Sequence, residues 1–190
     1  IVGLKISLVT EKENFYLALK EIAYFKMVQL SANVSQAMNL IVRDNLRCFI
    51  LQQSRTEKIT DYVPPVGTVL PCYASAGGKI LLCELSDTLL NTILDNTDIR
   101  PFTKHTITKR TALIEELETV RNNGYAVDAY ESQEGGYCIA VPIRNQKNEI
   151  IAALSFSGII GTVSSKEADY YVQILRKASA KITDQLYNFY

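Results

Sequence analysis

The apolar residues of this chain change their spacing after Leu30, and that change limits the folds open to it. Phe15, Leu19, Ile22, Phe25 and Leu30 recur at helical intervals, whereas Gln36–Val42 and Arg47–Gln53 read as strands. A 3.6-residue repeat cannot lie on a pleated strand, so a helix must hand over to a sheet here. Arg43-Asp44-Asn45 falls between the two strands and makes them a hairpin. Thr10-Glu11-Lys12-Glu13 predicts the helix start as a capping box. Ile59–Val63 reads as a third strand, stopped by Pro64-Pro65 and, with Pro71 nearby, either lying at an edge or leading into a long loop. Helices are predicted over Ala74–Cys83 and over Asp87–Leu94, the latter capped by Ser86. A loop over Asn96–His105 follows, then a helix capped by Thr108 that closes at Asn122-Asn123-Gly124. Tyr125–Glu131, Cys138–Arg144 and Ile150–Ser157 are the last strands, the second and third joined by a turn at Asn145–Asn148. Ser164-Ser165-Lys166-Glu167 is a second capping box, opening a helix with Ala168, Tyr171, Leu175, Ala178, Ile182 and Leu186 on one face.

Hairpin strands with helices grouped at both ends and in the middle predict an α+β fold. Its centre is a mostly antiparallel sheet of about six strands flanked by helices, the plan of GAF and PAS sensor domains. Fold alone does not assign a function. The 190 residues, 47% of them hydrophobic, suit one domain. Twenty basic and twenty acidic side chains make it a poor DNA binder by itself, because phosphate neutralisation supplies most of that affinity. No apolar run approaches the roughly 18 residues of a membrane span, so no membrane partner is expected. Cys48, Cys72, Cys83 and Cys138 form no CxxC pair and His105 is the single histidine, so no metal or other cofactor is expected. Four dispersed cysteines point to reduced thiols and a cytoplasmic location.

Within PCYASAGGKILL, the stretch SAGGK imitates a phosphate-binding loop. The P-loop pattern fails, because Ile80 follows Gly78-Lys79 and Tyr73 stands where the first glycine belongs. Small residues at Ser75–Gly78 can still bring a helix start, with its unpaired N–H groups and positive dipole end, close to an anion. A tight packing joint uses the same residues.

PCYASAGGKILL, FTKHTIT, GYAVDAYESQEGGYCIAVPI and IIAALSFSG, in that order and at those gaps, resemble the landmarks of the effector-binding domain of IclR-type transcriptional regulators. The resemblance runs from about Gln36 to Tyr190. It implies a GAF-like ligand-binding domain preceded by a linker helix and a winged helix-turn-helix. Residues 1–10 would be residual linker and 11–190 the effector domain; the start Ile-Val-Gly-Leu, without an initiator Met, agrees. The resemblance places a small acid against Ala76, Gly77, Asp128, Cys138, Ser155 and Ser157. Tyr62, Leu70, Tyr73 and Tyr137 are candidates for the pocket wall. The family usually has His at the Tyr73 position, often Leu at Gly77 and Arg at Tyr137, departures that bear on the ligand. The partners it implies are a small organic or aromatic acid, further copies of the chain in a dimer or tetramer, and DNA through the N-terminal domain.

Strand geometry puts Ser155 and Ser157 on one face, with Ala152, Leu154 and Phe156 on the other. Read without the resemblance, those serines could face solvent, Asp128 could be a capping or surface carboxylate, and Cys138 a small buried hydrophobe. Lys79 reads as a solvated helix residue and His105 as surface. Two other functions stay open: a free-standing GAF-like interaction domain, and an enzyme with Cys138 as nucleophile or Asp128 as base, for which His105 is the single imidazole available.

Overall fold

Alternation along the central strands sends two sets of apolar side chains to opposite faces of one sheet, and helices cover both. The computed structural model describes residues 2–44, 47–55, 64–160 and 163–187. The elements are α1 (Val2–Val34), β1 (Ala37–Asp44), β2 (Arg47–Ser54), β3 (Val69–Leu70), α2 (Ala76–Leu82), α3 (Asp87–Asp95), α4 (Arg110–Asn123), β4 (Ala126–Ala129), β5 (Gly136–Arg144), β6 (Ile150–Ile160) and α5 (Ser165–Tyr187). The strands join in the order β3-β2-β1-β6-β5-β4, every pairing antiparallel. This is the expected α+β class with six strands. Met38, Leu40, Leu154 and Phe156 point toward α1 and α5, where Leu19, Met27, Leu175 and Ile182 cover them. Ile41, Ile50, Ala140 and Ala153 belong to the opposite core with Ile80, Leu113 and Leu117 of the middle helices. No helix among the described residues is long and apolar enough to cross a membrane.

Several local expectations hold. Glu167 and Ser164 exchange capping bonds, Ser164 N–H donating to Glu167 Oε2 at 2.9 Å and Glu167 N–H to Ser164 Oγ at 3.3 Å. Ser86 caps α3, and Gly124 closes α4 with a φ of 67°.

Others are corrected. The backbone is already helical at Thr10, so the amides a capping box would satisfy there belong to the ladder of α1. Thr108 does not cap α4, whose N-cap position is Lys109 and has no side-chain cap bond; Thr108 lies one residue too early. The strand expected at Ile59–Val63 lies outside the described residues, and the edge beside β2 is formed by β3, paired with Cys48 and Phe49. The strand expected through Glu131 stops at Ala129, because Tyr130 turns left-handed with a φ of 67°.

The cysteines are not four reduced thiols. Cys48 and Cys72 form a disulfide, with Cα atoms 5.9 Å apart. Their 24-residue separation conceals the contact. It arises because β3 sets Leu70 opposite Cys48, two residues before Cys72. Cys83 and Cys138 are not bridged.

Candidate ligand-binding site

A polar stripe crosses the centre of the sheet on the face that carries α2. Asn39 of β1 pairs in register with Gln53 of β2 on one side and Ser155 of β6 on the other. Asn39 Nδ2 donates to Ser157 Oγ at 2.7 Å, and Gln53 Nε2 donates to Asn39 Oδ1 and to the Pro64 carbonyl, both at 2.7 Å. Ser155 and Ser157 are both buried, which removes the solvent-facing alternative. Ser155 Oγ has no hydrogen-bond partner among the described residues. Leaving a buried hydroxyl unsatisfied costs about 1–3 kcal/mol, so this group calls for an acceptor or donor from outside the chain.

Above the stripe lies a cavity of about 220 Å³. That is space for roughly seven water-sized volumes at about 30 Å³ each, smaller than the ~300–1,000 Å³ of drug-sized sites. Asn39, Ser155 and Ser157 form its floor, Ala76 and Gly77 one wall, Asp128, Ser132 and Cys138 another, and Leu70, Pro71 and Phe102 its apolar rim. A larger cavity of about 440 Å³, beside Arg43 and Glu84, includes no unsatisfied buried side chain.

The α2 wall depends on close approach. Ser75 caps the helix, its Oγ accepting from Gly78 N–H at 3.2 Å, and the amides of Ala76 and Gly77 lie in the first turn, which the helix ladder does not use. A Cβ at Gly77 would overlap Cδ1 of Ile41 on β1, and one at Gly78 would overlap the backbone of Cys72. SAGGK is therefore a packing joint between helix and sheet, with Ala76 and Gly77 also lining the cavity.

Lys79 corrects its reading as a solvated residue. Every residue of α2 is buried, and Lys79 is 1% exposed. Burial of an ammonium demands partners. Nζ donates to Glu131 Oε1 at 2.6 Å, to Glu116 Oε1 at 2.9 Å and to the Val127 carbonyl at 2.9 Å. Burial pushes the Glu131 carboxyl up to about 7 against the opposing pull of Lys79, and its Oε2 has no partner among the described residues.

Asp128 sits directly opposite Cys138 in the β4–β5 ladder, which explains their shared wall. Its Oδ1 accepts from the amides of Glu131 at 2.7 Å and Ser132 at 3.2 Å, and Oδ2 from the Ser132 hydroxyl. The carboxylate thus holds the turn that follows β4. Burial raises its pKa, opposed first by the Ser132 hydrogen bonds. Cys138 lines the cavity, while His105 is exposed and packs its ring 5.6 Å from that of Tyr130.

The structure brings Ala76, Gly77, Asp128, Cys138, Ser155 and Ser157 to this one cavity, together with Leu70. Tyr62 lies outside the described residues. Tyr137 is not on the wall; its neighbour Cys138 is, and Tyr137 packs with the α1/α5 core because strand alternation turns it to the other face. Tyr73 is one layer back: its hydroxyl donates to the Arg100 carbonyl at 2.9 Å and accepts from the Arg100 amide at 3.1 Å, and its ring stacks on Phe102 at 5.9 Å. Sequence reasoning missed Asn39, Gln53 and Phe102. Asn39 was detectable as the polar residue between Met38 and Leu40 in an otherwise apolar strand.

The model of the family described as "Bacterial transcriptional regulator IclR C-terminal" matches residues 16–184. The HTH-type transcriptional regulator XynR of Escherichia coli (strain K12) is 29% identical over 160 residues, 84% of this chain and 64% of its own length, so this chain spans just under two thirds of that relative. The C-terminal domain of the E. coli transcriptional regulator KdgR superposes with a TM-score of 0.81 at 30% identity, covering 88% of this chain and 98% of that one. The inducer-binding domain of PobR from Acinetobacter, a double mutant in complex with 3-hydroxybenzoic acid, superposes with a TM-score of 0.78 at 25% identity over 86% of this chain and 97% of its own. With a family match across nearly its whole length, this chain belongs to the family of IclR C-terminal domains of bacterial transcriptional regulators.

Proposed function

We propose that the cavity over Ser155 binds a small organic acid, aromatic acids included, and that this occupancy alters operator binding by a DNA-binding segment joined ahead of α1. In this reading residues 1–10 belong to the linker and 11–190 sense the ligand without catalysing a reaction. The observation that carries it is the unsatisfied, buried Ser155 hydroxyl at the cavity floor. Apolar groups at Leu70, Pro71 and Phe102 suit a carbon skeleton, and 3-hydroxybenzoic acid in the PobR domain has a matching size and class. The first-turn amides of Ala76 and Gly77 are donors suited to a carboxylate. Self-association into a dimer or a dimer of dimers belongs to the same reading, supported by exposed Leu17, Tyr24, Phe25 and Val28 on α1. A ligand switches such an assembly only by binding one state more tightly than the other.

The test is a thermal-shift panel of small organic acids, aromatic acids, sugars and nucleotides on wild type and Ser155→Ala. A ligand at about 100 times its Kd adds roughly 2.7 kcal/mol of stability. Ser155→Ala alone removes an unsatisfied hydroxyl, so the unliganded protein should be as stable as wild type or up to about 1 kcal/mol more stable. The same variant should lose most of the response to an acid. Equal responses from both proteins, or no acid that stabilises wild type, would refute the assignment.

A further inference from the structure

We infer that Lys79 is a positioning residue for the cavity: its buried ammonium ties α2, whose first turn carries Ala76 and Gly77, to β4 and the turn that follows it, which carry Asp128 and Ser132. The inference rests on the binding role proposed for this cavity, but its test needs no ligand.

The two walls come from parts of the chain about fifty residues apart, and Lys79 joins them through hydrogen bonds of 2.6 and 2.9 Å to Glu131 and the Val127 carbonyl. The ammonium has three donors, and with Glu116 as the third partner each donor has an acceptor. Asp128 continues the path, since its carboxylate holds the amides of Glu131 and Ser132. The connection therefore runs from Ala76 and Gly77 through Lys79 and Glu131 to Asp128, and both of its ends line the cavity. Among the described residues the charged groups acting on Glu131 are Lys79 of α2, Glu116 of α4 and Asp128 of β4. From the loop before α4, the hydroxyls of Thr103 and Thr106 donate to the carbonyls of Tyr130 and Glu131 at 2.7 and 2.6 Å. That loop thereby fixes the turn from outside and leaves Lys79 as its charged link to α2.

Apolar residues of similar volume could fill the same space, and replacing a buried ion pair in that way is often neutral for stability. Such a pair would not set the distance between the walls, which directional hydrogen bonds do. Stability and positioning can therefore be separated by experiment. Amide hydrogen exchange would be followed by NMR in wild type, Lys79→Met, Glu131→Gln and the Lys79→Met/Glu131→Leu double variant. The expected result is exchange about tenfold faster at the hydrogen-bonded amides of residues 78, 79, 131 and 132, with no comparable change in β1 and β6, including in the double variant when its Tm has returned to that of wild type. Amide chemical shifts of Ala76 and Gly77 should also move in Glu131→Gln, which leaves α2 itself unaltered. Loss of protection spread evenly over the sheet, or recovery at residues 78 and 79 together with Tm, would reduce Lys79 to a structural residue and overturn the inference. Should Lys79→Met fail to fold, Glu131→Gln and the double variant decide by the same localisation. A ligand panel without hits would count against the binding role and leave these exchange results standing.

Discussion

Ile41 and Gly77 share a volume that one side chain can occupy. The δ-methyl of Ile41 fills the space a Cβ at position 77 would need. Gly77→Ala should therefore destabilise the protein by about 1–3 kcal/mol through overpacking. Ile41→Val, which removes that methyl, should cost about 0.5–1.5 kcal/mol alone. The two combined should cost less than their sum, and urea titrations of the four proteins read the coupling. Additive losses would show that Ile41 swings aside without cost. A larger residue at position 77 would force Ile41 out of this rotamer, so the pair helps to set the shape of the cavity that both line.

Among the elements, the β4–β5 turn has the clearest electrostatic signature. Glu131 titrates at about 7 in the folded protein against a reference of 4.5. As pH rises through 4.5 the unfolded chain releases its proton first, while the folded protein keeps it until about 7. The folded state binds more protons across that window, so stability should fall from pH 4.5 to 7 and then level off. Allowing for solvent around the turn, the change is on the order of 2 kcal/mol. Glu131→Gln should flatten this part of the profile of denaturation midpoint against pH, and an unchanged slope would assign it to other groups. None of this was legible in the sequence, where Lys79 reads as an exposed helical lysine and Glu131 as the end of a strand. Period and capping signals act over a few residues, so the hairpins, α3, the Ser164 box and the Gly124 stop could be read directly. The resemblance identified Ala76, Gly77, Asp128, Cys138, Ser155 and Ser157, which the fold gathers at one cavity. Partners separated by tens of residues leave no local pattern, as Lys79 with Glu131, Tyr73 with Arg100 and Cys48 with Cys72 show.

For the molecule as a whole, the disulfide closes a loop of 24 residues that includes the rim residues Leu70 and Pro71. Closure of that length contributes about 3 kcal/mol by restricting the unfolded chain. Adding dithiothreitol should lower the urea midpoint of wild type and leave that of Cys48→Ser/Cys72→Ser unchanged. Equal midpoints for wild type with and without reductant would show that the bridge adds nothing to stability.

The sheet is one residue thick, and its two faces serve different neighbours. Asn39 and Ser155 face the cavity, while Met38, Leu40, Leu154 and Phe156, their immediate neighbours in the chain, support α1 and α5. A ligand that draws Asn39 or Ser155 aside therefore pushes on α1 across a single peptide unit, with no loop between to absorb the motion. At 33 residues α1 is roughly 50 Å long at 1.5 Å per residue, and from Phe15 to Val34 its apolar side chains pack with the core on this face of the sheet. A tilt of about two degrees would move one end of this helix relative to the other by roughly 2 Å over that length, a displacement comparable with the H···O distance of a hydrogen bond.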